Sequence, residues 1–460
     1  MIMRILRYIL FSAGLLTFTG CEKFLTTEPL NAVSDEATII DKVSAETALR
    51  AVYRQFGNIG YYGENYVTFG YFPSGDIKNL TTGGAGNLVN ANFRTDEVLF
   101  NTTWIAIYRA INSANHVITK VPSVNDPLLT DALKNQYVGE AKFLRALAYF
   151  DLARAWGGVQ IILEPTTSLQ NTPQVKRSTR EQTYAQVLED LKDAEILLPD
   201  VVNRVRATKR TVWALRARLH LYKEEWGLAE TYATKLIEKT ADYTLIKPFS
   251  NWFADNVKNT RESIFELQFS VNNVNSTRIQ MAHSTNGGQY RYAPNDRFVQ
   301  LLNDPTIGGG RKALITSVTQ SGIVNWVGNL YYRRDATDPA YIFRIAEMYL
   351  IRAEARAEQD NLSATTGALF DLNQVRDRAE LAPSNAVSKA DVLLAIEEER
   401  RYEFAWEAHR WFDLARTGRA KAVLEALNPN ITIGAHQNVF PIPVTQIQLD
   451  RDNLDQNPVY

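Results

Sequence analysis

The chain has 460 residues, 45% of them hydrophobic and 22% charged, enough for one large core or two to three ordinary domains. Its formal net charge of −1 excludes the basic field that would collect a nucleic-acid backbone, so no nucleic acid is expected as a partner. A single cysteine excludes an internal disulfide, and stability must rest on packing.

That cysteine, Cys21, follows Arg4, Arg7, an apolar run over 8–18 and the small Gly20, which is the anatomy of a secretory leader ending at a lipid attachment site. The run is about half of the ~20 residues that a membrane-spanning helix needs. Residues 1–20 are therefore predicted to be a lipoprotein signal peptide, with Cys21 as the lipidated first residue of what remains. No later apolar run approaches spanning length, so the lipid is the only anchor predicted.

Ala48, Ala51, Val52 and Phe56 recur at helical spacing and predict a first helix over 41–56, stopped by Gly57. Between 57 and 103 Gly, Asn, Thr and aromatic residues such as Tyr61, Tyr62 and Tyr66 take over, and loops are expected. Helical pattern returns over 104–121 and 129–156, where Gly157 and Gly158 supply a stop. Ser178 and Glu181 read as a capping box for a helix carrying Tyr184, Leu188 and Leu191 on one face and ending before Pro199. Helices follow over 207–225 and 226–239, with small Ala217 and Ala229 placed where the arms of a tetratricopeptide-like hairpin approach. Over 242–340 the period fades into loops with strand-like pieces such as 263–269. Helices resume over 343–359 and 364–379, and a last long helix is predicted from Ser388 to Gly418. After 428 the chain is expected to run extended, because Pro441 and Pro443 fix φ and remove donors.

The predicted fold class is therefore all-α. Tetratricopeptide-like helical hairpins form a core over about 30–240 and 341–427, an irregular loop-rich lobe with short strands spans about 242–340, and 428–460 is an extended C-terminal segment. All belong to one domain over 21–460.

The histidines His116, His220, His283, His409 and His436 lack the spacing of a metal site, and neither a phosphate-binding loop nor a G-x-S-x-G elbow is present. No metal, cofactor or catalytic group is predicted, and the chain is read as a non-enzyme. The densest charge lies at Glu397, Arg400, Arg401, Glu403, Glu407, Arg410 and Asp413. Helical spacing sets Glu397 beside Arg401, Arg400 beside Glu403, and Arg410 beside Glu407 and Asp413, which reads as a structural ion-pair lattice. Aromatic rings in loops are a different matter, since planar side chains stack on sugar rings or peptide side chains at little entropic cost. The two loop-rich aromatic segments are the candidate binding region, with Phe69 and Phe72 read as rings that pin loops to helices.

An ordered series of motifs runs along the chain: Cys-Glu-Lys-Phe-Leu at 21–25, Glu-Ala-Lys-Phe-Leu-Arg-Ala-Leu-Ala-Tyr-Phe-Asp-Leu at 140–152, Trp-Gly-Gly at 156–158 and Leu-Glu-Asp-Leu-Lys-Asp-Ala-Glu at 188–195. Glu-Ser-Ile-Phe-Glu at 262–266, Tyr-Leu-Ile-Arg-Ala-Glu-Ala at 349–355, Glu399-Arg400-Arg401, Arg-Trp-Phe-Asp-Leu at 410–414 and Gln456-Asn457-Pro458 complete it. The series resembles the SusD/RagB family of outer-membrane nutrient-binding lipoproteins over nearly the whole chain. The resemblance implies a helical core under an irregular lobe, and a cell outer-membrane location, lipid-anchored and facing outward. It also implies a partner, a SusC-like TonB-dependent outer-membrane transporter that the lipoprotein covers as a lid. Family ligands are mostly glycans and in some cases peptides, held by variable loops that fall here before Trp104 and between 272 and 332. The expected function is capture of an oligosaccharide or polysaccharide, with Tyr71, Phe93, Tyr290, Tyr292, Trp326 and Tyr331 stacking and Asp76, Asn92 and Arg291 supplying hydrogen bonds. Asp76 is included because the family often carries an Asp there. Peptide capture and a scaffold role for a helical-repeat lipoprotein of the cell envelope are the alternatives.

Overall fold

Helix α1 (Lys42–Phe56) opens on a capping box: the Ser44 amide donates to the Asp41 carboxylate at 2.8 Å, and the Asp41 amide donates to the Ser44 hydroxyl. In the computed structural model, which describes residues 38–460 apart from 82–84, 168–173, 256, 428–430, 432 and 435–436, α1 buries Ala45, Leu49, Val52 and Phe56. The predicted leader 1–20 and Cys21 lie outside the described residues, as does His436. No described helix is long and apolar enough to cross a membrane.

The stretch expected to be loops carries α2 (Asn65–Tyr71), strand β1 (Ile77–Asn79) and α3 (Gly86–Val89), and α4 (Val98–Lys120) begins six residues before Trp104. Its tyrosines are inside rather than on the surface, because α5 (Asp131–Trp156) offers them a buried carboxylate. The Tyr61 and Tyr62 hydroxyls donate to Asp151 at 2.6 and 2.7 Å, and Arg154 pairs with the same carboxylate at 2.8 Å. Helix α6 (Arg180–Leu197) packs along α5, where Arg145 makes a two-pronged pair with Asp190 at 2.7 and 2.8 Å. A short link joins α7 (Lys209–Tyr222) to α8 (Trp226–Ile237), and Ala217 and Ala229 are both fully buried. Small side chains there let the two arms of the hairpin close.

The irregular lobe holds β2 (Ser263–Leu267), α9 (Ser276–Met281), β3 (Tyr292–Pro294), α10 (Asp296–Asn303), the hairpin β4 (Ile315–Gln320) and β5 (Ile323–Gly328), and β6 (Ala340–Arg344). Its sheets are two-stranded and antiparallel: β1 with β3, β2 with β6, β4 with β5. Helices α11 (Ile345–Glu358), α12 (Ala368–Arg378) and α13 (Lys389–Glu403) follow and enclose a smaller apolar cluster of Ala346, Leu350, Leu372, Val375, Val392 and Ile396.

The predicted last long helix is broken. After α13 the chain turns at Trp406, whose φ is +71°, before α14 (Arg410–Arg416) and α15 (Ala420–Leu427). The turn drives the Trp406 indole into the core, where its N–H donates to the Leu314 carbonyl at 2.8 Å and its ring meets Tyr71 at 5.1 Å between centroids. Helix α2 lies so close that a side chain at Gly70 would collide with the Ala408 backbone. The break also rewrites the charge pairing expected from helical spacing. Arg401 grips Asp76 through both carboxylate oxygens, Arg400 reaches Asp413 at 2.8 Å, and Glu397 takes Arg410 at 3.4 Å together with Arg419.

A lattice does form, built across the fold. Arg344 of β6 reaches Glu403 at 2.8 Å, Glu407 at 2.6 Å and Glu262 at 3.1 Å, Arg378 bonds Glu262 and Glu403, and Arg311 bonds Glu399 and Glu403. Burial alone would raise the Glu403 carboxyl, yet Arg378, Arg311 and Arg344 together draw it down to about 2. Arg311 and Arg344 come from the lobe, so the lattice ties the lobe to the helices. In the C-terminal segment α16 (Val444–Leu449) interrupts the expected extended run, beginning directly after Pro443, whose backbone is still extended. Just before it Phe440 enters an aromatic cluster with Phe69, Phe93, Phe100 and Trp411.

Candidate functional site

Strands β1 and β3 bring the two aromatic segments together, although more than 200 residues separate them in the chain. Asn79 pairs with Tyr292 in register, the Leu80 amide donates to the Arg291 carbonyl at 2.8 Å, and the Ala85 amide donates to the Tyr292 hydroxyl at 2.5 Å. Hairpin β4–β5 completes the surface. Its turn residues Ser321 and Gly322 have φ of +52° and +79°, both positive as a twisted two-residue hairpin requires. The hairpin sets Trp326 opposite Ser317, and the Tyr290 hydroxyl donates to the Trp326 carbonyl at 3.1 Å.

Burial divides the nine residues expected at the ligand surface. Tyr71, Asp76, Phe93, Tyr292 and Tyr331 are buried, and their side chains act as packing rather than as surface contacts. Tyr71 packs on Trp406, Phe93 meets Trp411 and Phe440 edge-on at 4.8 and 5.0 Å, and Tyr292 lies on Phe72 at 4.5 Å. Asp76 is wholly committed to Arg401. The physical reason is common to all five: Tyr71 on α2, Tyr292 on β3, and Asp76, Phe93 and Tyr331 in connecting segments are all laid against the buried core.

The remaining four reach solvent. Tyr290 and Trp326 are half-buried and linked, Arg291 is exposed beside Tyr290, and Asn92 is exposed with its amide donated to the Asn87 carbonyl. Tyr290 is held by its φ of +47° and by the His283 ring at 5.0 Å. The arrangement leaves two aromatic rings braced from behind, next to a guanidinium, able to stack on a ring-shaped ligand and donate hydrogen bonds to its oxygens.

Sequence reading missed Glu64 and Gln280, which sit behind this surface. Burial pushes the Glu64 carboxyl up to about 7, opposed by a hydrogen bond from Gln280 and by the charge of Arg291. One oxygen of each side chain, Oε2 of Glu64 and Oε1 of Gln280, is buried with no partner among the described residues. Nothing in the sequence marks a lone Glu after a glycine as special. Among the described residues no group of His, Cys, Asp and Glu could hold a metal ion.

Comparison with known proteins gives a consistent result. A family described as starch-binding and associating with the outer membrane matches residues 24–221, and the SusD family matches residues 285–460. A SusD-like protein of Formosa agariphila is 25% identical over 98% of both chains. The starch-binding protein SusD of Bacteroides thetaiotaomicron is 27% identical, with 72% of this chain and 74% of that protein covered. Among solved structures, a SusD superfamily protein from Bacteroides vulgatus superposes with a TM-score of 0.78 at 23% identity, covering 92% of this chain and all of the other. A laminarin binding SusD-like protein superposes with a TM-score of 0.75 at 24% identity over 92% of this chain and 100% of its own.

Proposed function

The chain belongs to the SusD/RagB family, and from that premise we propose that it captures a glycan, an oligosaccharide or polysaccharide, and delivers it to a SusC-like TonB-dependent transporter. It does so as a non-enzymatic lipoprotein, anchored through Cys21 to the outer membrane and facing outward. The observation that carries the ligand class is the braced pair Tyr290 and Trp326 beside Arg291 on the irregular lobe. Half-exposed rings backed by hydrogen bonds bury the apolar faces of sugars with little loss of side-chain freedom, and a guanidinium supplies directional donors to hydroxyl oxygens. The starch-binding and laminarin binding relatives support a glycan over a peptide.

The test is calorimetric titration of protein starting at Glu22 with malto-oligosaccharides, laminari-oligosaccharides and a mixed peptide digest, with product analysis of each mixture. Saturable heat with one glycan series, no cleavage, and loss of that heat in Trp326→Ala are expected. Heat from peptides alone would replace the glycan with a peptide, and cleaved glycan would overturn the non-enzymatic reading.

A further inference from the structure

On the helical core, away from Tyr290 and Trp326, a cleft of about 380 Å³ opens between the end of α1, the segment before α7 and the end of β2. That volume falls within the roughly 300–1,000 Å³ of small-molecule sites. Its lining contains three guanidiniums, Arg50, Arg54 and Arg206, and no carboxylate. Val205, Leu267 and the ring of Tyr53 give it apolar wall, and Gln268 and Asn273 give it amides.

The charge does not cancel. Arg50 is matched by Glu46 at 2.7 Å. Arg206 is matched by Glu140, which accepts from its Nε at 2.8 Å and its Nη2 at 3.0 Å. Glu140 is fully buried and also accepts from the Tyr53 hydroxyl at 2.6 Å and from Gln136 at 3.0 Å, so its acceptor capacity is turned inward. Nη1 of Arg206 has only Glu46 at 3.7 Å, beyond hydrogen-bond reach. Arg54 is exposed and makes no ion pair or side-chain hydrogen bond among the described residues. Two carboxylates thus stand behind three guanidiniums, leaving one uncompensated positive charge and unfilled donors facing the cleft.

We propose that this cleft is a second saccharide site, selective for a sugar ring that bears one oxyanion, either a uronic carboxylate or a sulfate ester. Arg54 and Nη1 of Arg206 receive the oxyanion, the amides of Gln268 and Asn273 meet ring hydroxyls, and Val205, Leu267 and Tyr53 cover the ring face. The site shares no residue with the Tyr290 and Trp326 surface, so the two stand or fall separately.

The experiment titrates protein starting at Glu22 with oligogalacturonate, with a sulfated galactan oligosaccharide and with neutral malto-oligosaccharide, in low salt and in about 0.5 M NaCl. Saturable binding of one or both acidic probes is expected, and which of them binds separates carboxylate from sulfate. Arg54→Glu should weaken that binding roughly tenfold or more, the magnitude of one lost charge-assisted contact, and high salt should weaken it in the same direction. Trp326→Ala should leave it unchanged. Arg54 is exposed, so an unshifted thermal melt verifies that the variant is folded. Absence of binding by both acidic probes, full binding by Arg54→Glu, or loss of binding in Trp326→Ala would each overturn the proposal.

Discussion

Arg344 and Arg291 are the same residue type under opposite conditions. Where the lobe is buried against the helices, Arg344 is 1% exposed and held by three carboxylates, so it fixes where β6, α13 and the turn after it meet. On the irregular lobe Arg291 stands in water beside a half-buried tyrosine, free to meet something else. The rings divide the same way: Phe93 is locked between Trp411 and Phe440, whereas Trp326 is braced through its backbone and leaves ring surface in solvent. Chemistry alone does not separate recognition from packing; burial does.

The largest effect that tests this contrast is Arg344→Met, which strands buried Glu407 and removes one of the arginines that Glu262 and Glu403 share with Arg378 and Arg311, and should destabilise by about 3–5 kcal/mol in chemical denaturation. A loss below about 1 kcal/mol would mean that the lattice is not what joins lobe to core. Next comes Phe93→Ala, which should cost about 3 kcal/mol through the cavity it leaves and should not change glycan affinity of the folded protein. Unchanged stability with lost binding would return Phe93 to the ligand surface.

A pH series sharpens the boundary between the regions. The Glu64 carboxyl sits at about 7 in the folded chain against an ordinary 4.5, so the folded state holds the proton more tightly. Its contribution to stability is full below pH 4.5 and lost as pH rises through 7. Glu64→Gln, which needs no proton, should therefore be more stable than the parent by about 2 kcal/mol above neutrality, with the gain vanishing in acid. A gain independent of pH would refute the buried-carboxyl account. The smallest effect on stability belongs to Trp326→Ala. Its unfolding free energy should change by under about 1 kcal/mol, while glycan affinity falls roughly tenfold or more.

The helices were legible because their signals are local. Apolar spacing places α1 within a residue of its predicted start, Gly157 ends α5 where the pair of glycines predicts a stop, and Ala217 and Ala229 become the closed contact of a hairpin. Rings flagged as loop pins, Phe69 and Phe72, are indeed buried. Helical spacing failed at Trp406, where the chain turns with the indole in the core and Glu407, Arg410 and Asp413 find partners other than those helical spacing sets beside them. The site failed in the same way. Tyr71, Phe93, Tyr292 and Tyr331 are as aromatic as Tyr290 and Trp326, and which of them face solvent follows from packing against residues far along the chain, Trp406 for Tyr71 and Trp411 and Phe440 for Phe93.

The sequence by itself determined the helical class, the irregular lobe between two helical stretches and the family, because periodicity, caps and motif order are written in short windows. Only the tertiary structure decided which charges are lattice and which are free, and which rings are core and which are surface. Those are differences in burial, and burial of a side chain is set by residues that can be hundreds of positions away, as Asp76 is from Arg401.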